Sequence, residues 1–130
     1  MKELLRAGVN VAFGYDSIRD PWYPFGVGDP VQSCFVMVHY GHMSGHDELA
    51  QMLDFVTTRA AECLGVHDYG LAEGRRADLV VFDAPTPVDA VRTLAARTAV
   101  VSRGRVVART TPPRTTVTVD GRESPVTFLR

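Results

Sequence analysis

The chain has 130 residues, of which 45% are hydrophobic and 22% are charged, the composition of a globular protein about one domain long. Fourteen basic and fifteen acidic residues give a net charge of −1, which argues against nucleic acid or an anionic membrane as a partner. No stretch approaches the roughly 20 apolar residues of a membrane span, and the first residues do not resemble a signal peptide. The two cysteines lack disulfide or zinc-site spacing. We therefore expect a cytoplasmic protein.

The first half of the chain has mainly helical patterns. The predicted elements are a helix over 2–7, a strand over 9–13, and helices over 30–43, 47–56 and 59–64. Gly8 is a typical helix stop, and Asp29-Pro30 is a typical helix start, with an acidic N-cap before proline. A helix followed by a strand is half of an α/β unit, and its strand would need parallel neighbours on both sides.

From Val66 onward, glycines, prolines and valine-rich runs replace the helical pattern. This half predicts a strand over 77–83, a helix over 87–96, a hairpin over 98–109 that turns at Arg103-Gly104, and one further strand in the tail 115–130. Basic residues alternate with apolar ones here, which favours solvated strand faces over a binding patch. We place a domain boundary at 66–68, between a helical part, 1–66, and a β-rich part, 67–130.

Three histidines, His39, His42 and His46, are spaced three and four residues apart. This spacing could place them on one helix face, but Gly41, Ser44 and Gly45 interrupt that helix. No carboxylate occupies the position of a metalloprotease-type His-Glu pair. We interpret these histidines as surface or packing residues rather than as metal ligands.

Asp16 follows the predicted strand directly, where barrel enzymes keep catalytic groups. An Asp-Ser pair after glycine is also typical of an Asx turn. The local pattern by itself favours the turn.

The wider sequence resembles one enzyme family. The stretch "NVAFGYDSIRDPWYPFGVGDP" resembles the eighth-strand region of cytosine deaminases of the amidohydrolase superfamily, in which a Phe-Gly-x-Asp run precedes Asp-Pro-Trp-Tyr-Pro. "LGVHDYGLAEGRRADLVVFDA" and "VVSRGRVVAR" are similar to the return of such enzymes from the barrel into a small β-domain and its hairpin. The resemblance implies an α/β fragment: the last strand and closing helices of a TIM-type (β/α)8 barrel in 1–66, followed by part of a small β-sandwich domain in 67–130.

The resemblance also implies site residues and a cofactor. Asp16 would be the strand-8 aspartate, which contacts a divalent iron or zinc ion and acts as general base toward water. Trp22 would line the pocket beside a flat heterocycle, or would instead pack the loop onto the barrel rim. Cytosine deaminases usually have a histidine before this aspartate and an acid after it, where this chain has Tyr15 and Ser17. Serine can hydrogen-bond a ring substituent but supplies no charge, so cytosine and a related pyrimidine, triazine or creatinine-like ring remain alternatives.

The family's His-x-His pair and its single histidine ligands have no counterpart in this sequence. A closed eight-stranded barrel takes about 250 residues, so we expect the chain to be the C-terminal segment of such an enzyme. By itself it is expected to be inactive and to bind no metal. We expect it to associate with itself or with the missing N-terminal portion. The alternatives are a non-catalytic assembly domain and a ligand-binding module that uses the Trp22 loop.

Overall fold

The computed structural model describes residues 1–126. Helix α1 (Lys2–Arg6) ends just before Gly8, whose positive φ of 75° favours glycine. The predicted strand over 9–13 is wrong, since this segment is extended but forms no ladder. The Phe13 N–H donates a hydrogen bond to the carbonyl of Phe55, 3.1 Å away, which lies in a helical segment rather than in a strand. Alternating apolar residues do not make a strand without a neighbouring strand to pair with.

Four helical segments follow the long loop. They are α2 (Pro30–Tyr40), α3 (His46–Ala50), a 3-10 helix (Met52–Val56) and α4 (Thr58–Cys63). The predicted start of α2 is confirmed, because the Asp29 side chain accepts a hydrogen bond from the Val31 N–H at 2.9 Å. The single helix predicted over 47–56 is instead divided at Gln51. None of the described helices is long and apolar enough to cross a membrane.

The second half contains β1 (Leu79–Phe82), α5 (Pro87–Arg92), β2 (Arg97–Ser102), β3 (Arg105–Arg109), β4 (Thr116–Val119) and β5 (Arg122–Pro125). Strands β1, β2 and β3 form an antiparallel sheet in that order. The predicted hairpin is confirmed: Arg103 and Gly104 both have positive φ, as its two-residue turn requires.

The tail is folded differently from our prediction of one further strand. Strands β4 and β5 pair as a hairpin that turns at Asp120-Gly121, where both residues again have positive φ. An Asp-Gly pair between two β-type runs is a strong hairpin signal, and we missed it. The part of the predicted strand over 127–130 lies outside the described residues.

The buried core lies among the helices. Its members are Val31, Cys34, Met43, Met52, Phe55 and Val91. The Phe13 ring stacks on Phe55 with 5.2 Å between ring centroids, which fixes the segment before the loop against the core. Val91 reaches this core from α5, so the core includes a residue from the second half. The Arg97 guanidinium also pairs with the Asp29 carboxylate, which links β2 to the start of α2.

Candidate active site

Asp16 lies at the rim of a cavity of about 380 Å³ between the start of the long loop and helix α2. The lining residues are Phe13, Gly14, Tyr15, Asp16, Ser17, Tyr23, Gln32, Ser33, Val36 and Met37. Asp16 itself is exposed. The cavity thus combines an ionisable carboxylate with apolar walls and a few polar groups, as expected of a site for a small organic ligand.

The cavity owes its position to two neighbouring elements. Phe13 is held by its ring stacking on Phe55 and by its backbone hydrogen bond, and Asp16 follows three residues later. On the other side, Gln32 is the third residue of α2, whose start is fixed by the Asp29 cap. The Tyr15 hydroxyl donates a hydrogen bond to Gln32 Oε1 and so joins the two sides.

The Asx turn that the local pattern favoured at Asp16 is made by Asp20 instead. The Asp20 carboxylate accepts hydrogen bonds from the N–H groups of Trp22 and Tyr23, each at 2.9 Å. The Ser17 hydroxyl, followed by these two N–H groups, stabilises the charged form and holds the pKa of Asp20 below its ordinary value. The Ser17 oxygen can still accept a hydrogen bond from a ligand in the cavity.

The long loop turns back on itself at Gly26. A Cβ atom at this position would lie only 2.2 Å from the carbonyl oxygen of Ile18, so no other residue fits without moving the backbone. Gly28, with a φ of 70°, then leads into the Asp29 cap. The absence of a side chain at Gly26 thus permits the close approach of the backbone to Ile18, and Asp16 and Tyr23 both line the cavity from this loop.

The structure brings two of the three predicted site residues to the cavity. Asp16 and Ser17 line it, whereas the Trp22 side chain is 91% exposed and is not among the lining residues. Sequence reasoning missed Gln32, Tyr23 and Met37. Gln32 could have been found, because the first turn of a helix that begins directly after a catalytic loop must lie beside that loop.

The described residues do not make a metal centre by themselves. Among residues 1–126, no three His, Cys, Asp or Glu side chains come together in a group that could hold an ion, and a catalytic zinc site takes about three protein ligands. His39 instead packs edge-on against Phe35, with 4.8 Å between ring centroids. Asp16 can offer one carboxylate to a metal ion, and His39, His42 and His46 do not join it in a group of metal ligands.

The sequence matches the model of a family described as the amidohydrolase family over residues 1–108. The chain belongs to this family. The match takes in the Asp16 cavity and the three-stranded sheet up to β3, and the β4–β5 hairpin lies beyond it. Enzymes of the family generally depend on a divalent metal ion.

Two curated relatives are similar to the chain. It is 34% identical over 108 residues to an N-isopropylammelide isopropyl amidohydrolase of Pseudomonas sp., a match that covers 82% of the chain and 27% of that protein. It is also 34% identical over 113 residues to a pterin deaminase of Rhizobium rhizogenes, which covers 86% of the chain and 25% of the relative. The chain thus spans about a quarter of the length of the curated relatives it matches.

Solved structures give the same relationship. The 5-methylcytosine deaminase of Klebsiella pneumoniae, determined with 5-fluorocytosine, superposes with a TM-score of 0.80 at 43% identity, covering 86% of this chain and 27% of that one. The N-isopropylammelide isopropylaminohydrolase of Burkholderia multivorans superposes with a TM-score of 0.76 at 39% identity, covering 81% and 27%. The resemblance to cytosine deaminases is therefore confirmed at the level of the family.

Proposed function

We propose that the chain is the C-terminal portion of a cytosine-deaminase-like, metal-dependent amidohydrolase that hydrolytically deaminates a pyrimidine or related heterocycle. The observation that carries this proposal is the position of Asp16, exposed at a cavity of ligand size within the part of the chain that matches the family. The barrel-end role of residues 1–66 and the β-domain role of residues 67–130 belong to the same proposal.

In this proposal Asp16 is the catalytic base. Its carboxylate accepts a proton from the water that attacks the ring carbon bearing the amino group, and it returns that proton to the leaving nitrogen. The second proton of the water goes to the adjacent ring nitrogen, the new C–O bond replaces the C–N bond, ammonia leaves, and the reacting ring carbon becomes a carbonyl. Ser17 accepts a hydrogen bond at the ring edge, and Trp22, which does not line the cavity in the isolated chain, is proposed to cover the ring in the intact enzyme.

The iron or zinc ion expected in this family would activate the attacking water. Asp16 would give it one oxygen ligand, and the other ligands would come from residues other than those described. The isolated chain is accordingly proposed to hold no ion and to be inactive. We also propose a cytoplasmic location, which the free thiols of Cys34 and Cys63 support.

A second candidate, non-catalytic assembly, is favoured by the exposed valines of the sheet. Val80 and Val81 are both about half exposed, as are Val106 and Val107 on β3. Consecutive strand residues point to opposite faces, so both faces of the sheet present apolar side chains to solvent. We propose that the isolated chain associates with itself or with the remainder of the enzyme through this sheet. Light scattering should find a dimer or larger species, and a stable monomer would contradict this candidate.

The enzymatic proposal is tested by complementation. The chain is co-expressed with the remaining portion of the Klebsiella pneumoniae enzyme, and ammonia release is measured with cytosine, 5-fluorocytosine and an amino-triazine in the presence of Fe²⁺ or Zn²⁺. We expect ammonia release from at least one ring only when both pieces are present. A purified, metal-loaded assembly that releases no ammonia from any of these rings would contradict the proposal.

A further inference from the structure

Gln32 is one of the polar residues of the cavity to which sequence reasoning assigned no role. It lies at the start of α2 and lines the same cavity as Asp16 and Ser17. The Tyr15 hydroxyl donates to its Oε1. An amide has one oxygen and two N–H donors, so this bond determines which end of the side chain is engaged.

The other end of the amide is open to a ligand. Among the described residues, none accepts a hydrogen bond from Gln32 Nε2, and no unpartnered side-chain nitrogen or oxygen is buried. The Nε2 group is therefore solvated when the cavity is empty. It can exchange water for a ligand acceptor without breaking the bond between Tyr15 and Oε1.

The charge of the lining limits what that ligand can be. Of the described lining residues, Asp16 is the charged one, while Tyr15, Ser17, Tyr23, Gln32 and Ser33 are neutral hydrogen-bonding groups. Where no ion is bound at Asp16, as proposed for the isolated chain, the Asp16 carboxylate would repel a negatively charged ring, and the described lining residues include no cation to offset that repulsion. A neutral ring with an acceptor oxygen fits this set.

We propose that Gln32 is a specificity-determining residue whose amide N–H groups donate to the carbonyl oxygen of a neutral oxo-heterocycle. This inference rests on the proposed function, because it places the ring in the cavity beside Asp16. The substrate class is then an aminated ring that also carries a carbonyl, such as an oxo-pyrimidine or oxo-triazine. Tyr15 is the positioning residue, since it acts through Gln32.

The test measures ring binding by the 130-residue chain with ¹⁹F NMR. The probes are 5-fluorocytosine, which carries the ring carbonyl, and its analogue without the ring oxygen. We expect Gln32→Leu to weaken 5-fluorocytosine binding about tenfold and to leave binding of the analogue within about twofold, because one ligand hydrogen bond is lost. Gln51→Leu makes the same chemical change outside the cavity lining and should alter neither affinity.

Equal weakening of both probes by Gln32→Leu, or no binding of 5-fluorocytosine by the wild-type chain, would overturn the assignment. Tyr15→Phe serves as a second variant, since it removes only the hydroxyl and should weaken 5-fluorocytosine binding by a smaller factor. The two proposals fail separately. Carbonyl-dependent binding without turnover in the complemented assembly contradicts the enzymatic proposal alone, whereas turnover whose KM is unchanged by Gln32→Leu contradicts the role of Gln32 alone.

Discussion

The two halves of the molecule bury their apolar residues to different extents. In residues 1–66, Cys34, Met43, Met52 and Phe55 are fully buried. In the described part of the second half, the buried side chains are in α5 and the turn after it, and no strand residue is buried. The first half therefore provides the core that supports the cavity, whereas the apolar residues of the sheet remain partly exposed to solvent. The difference indicates that stability and site geometry depend mainly on the helices.

Substitution of Phe55 should have the largest effect on stability. Phe55→Ala removes a fully buried ring that stacks on Phe13, and we expect a loss of about 3–5 kcal/mol in the free energy of unfolding measured in urea. The matched control is Val107→Ala on β3, which removes a largely exposed side chain and should cost less than about 1 kcal/mol. Equal costs would contradict the contrast between the two halves.

The ion pair between Asp29 and Arg97 tests how strongly the halves are linked. Asp29→Ala removes both the cap of α2 and the partner of Arg97, and should cost about 1–2 kcal/mol. Arg97→Ala leaves the cap in place and should cost less. A double-mutant cycle should give a coupling of about 0.5–1 kcal/mol, and strictly additive losses would show that the pair does not link the halves energetically.

The two cysteines should differ in reactivity. Burial, followed by the nearby negative charge of Asp29, raises the pKa of Cys34 to about 12, whereas Cys63 is exposed. Because the thiolate is the reactive form, an alkylating reagent at about pH 8 should modify only Cys63 in the folded chain and both cysteines in urea. Mass spectrometry of the modified peptides would decide this. Rapid labelling of Cys34 in the folded state would contradict a closed core.

The smallest expected effect is a loss of structural order in the loop around Asp20 at low pH. The hydrogen bonds from Ser17 and from the Tyr23 and Trp22 N–H groups hold the pKa of Asp20 below its ordinary value of 3.8. A lowered pKa stabilises the folded loop at pH values above 3.8, and this stabilisation is lost as the pH falls through the lower folded-state pKa. The Trp22 and Tyr23 amide resonances should therefore shift with a midpoint below pH 3.8, and in Asp20→Asn that shift should be absent.

Features that depend on residues adjacent in sequence were predicted better than features that depend on pairing with distant residues. The start of α2 and the Arg103-Gly104 turn depend on residues adjacent in sequence, and both were predicted. The segment 9–13 has a strand-like pattern, but whether it forms a strand depends on neighbours that its own residues do not encode. Asp16 was identified by its position, whereas Gln32 lies 16 residues farther on and reaches the same cavity only through folding.

The central claim is that Asp16 is the catalytic aspartate, and the most direct test is the rate of ammonia release by the complemented assembly carrying Asp16→Asn. Asparagine keeps the size of the side chain but cannot accept the proton from water, so we predict a loss of at least about a hundredfold in kcat. Asp54→Asn, an exposed acid of the 3-10 helix, should keep the wild-type rate. An Asp16→Asn assembly that turns over as fast as the Asp54→Asn control would contradict the claim.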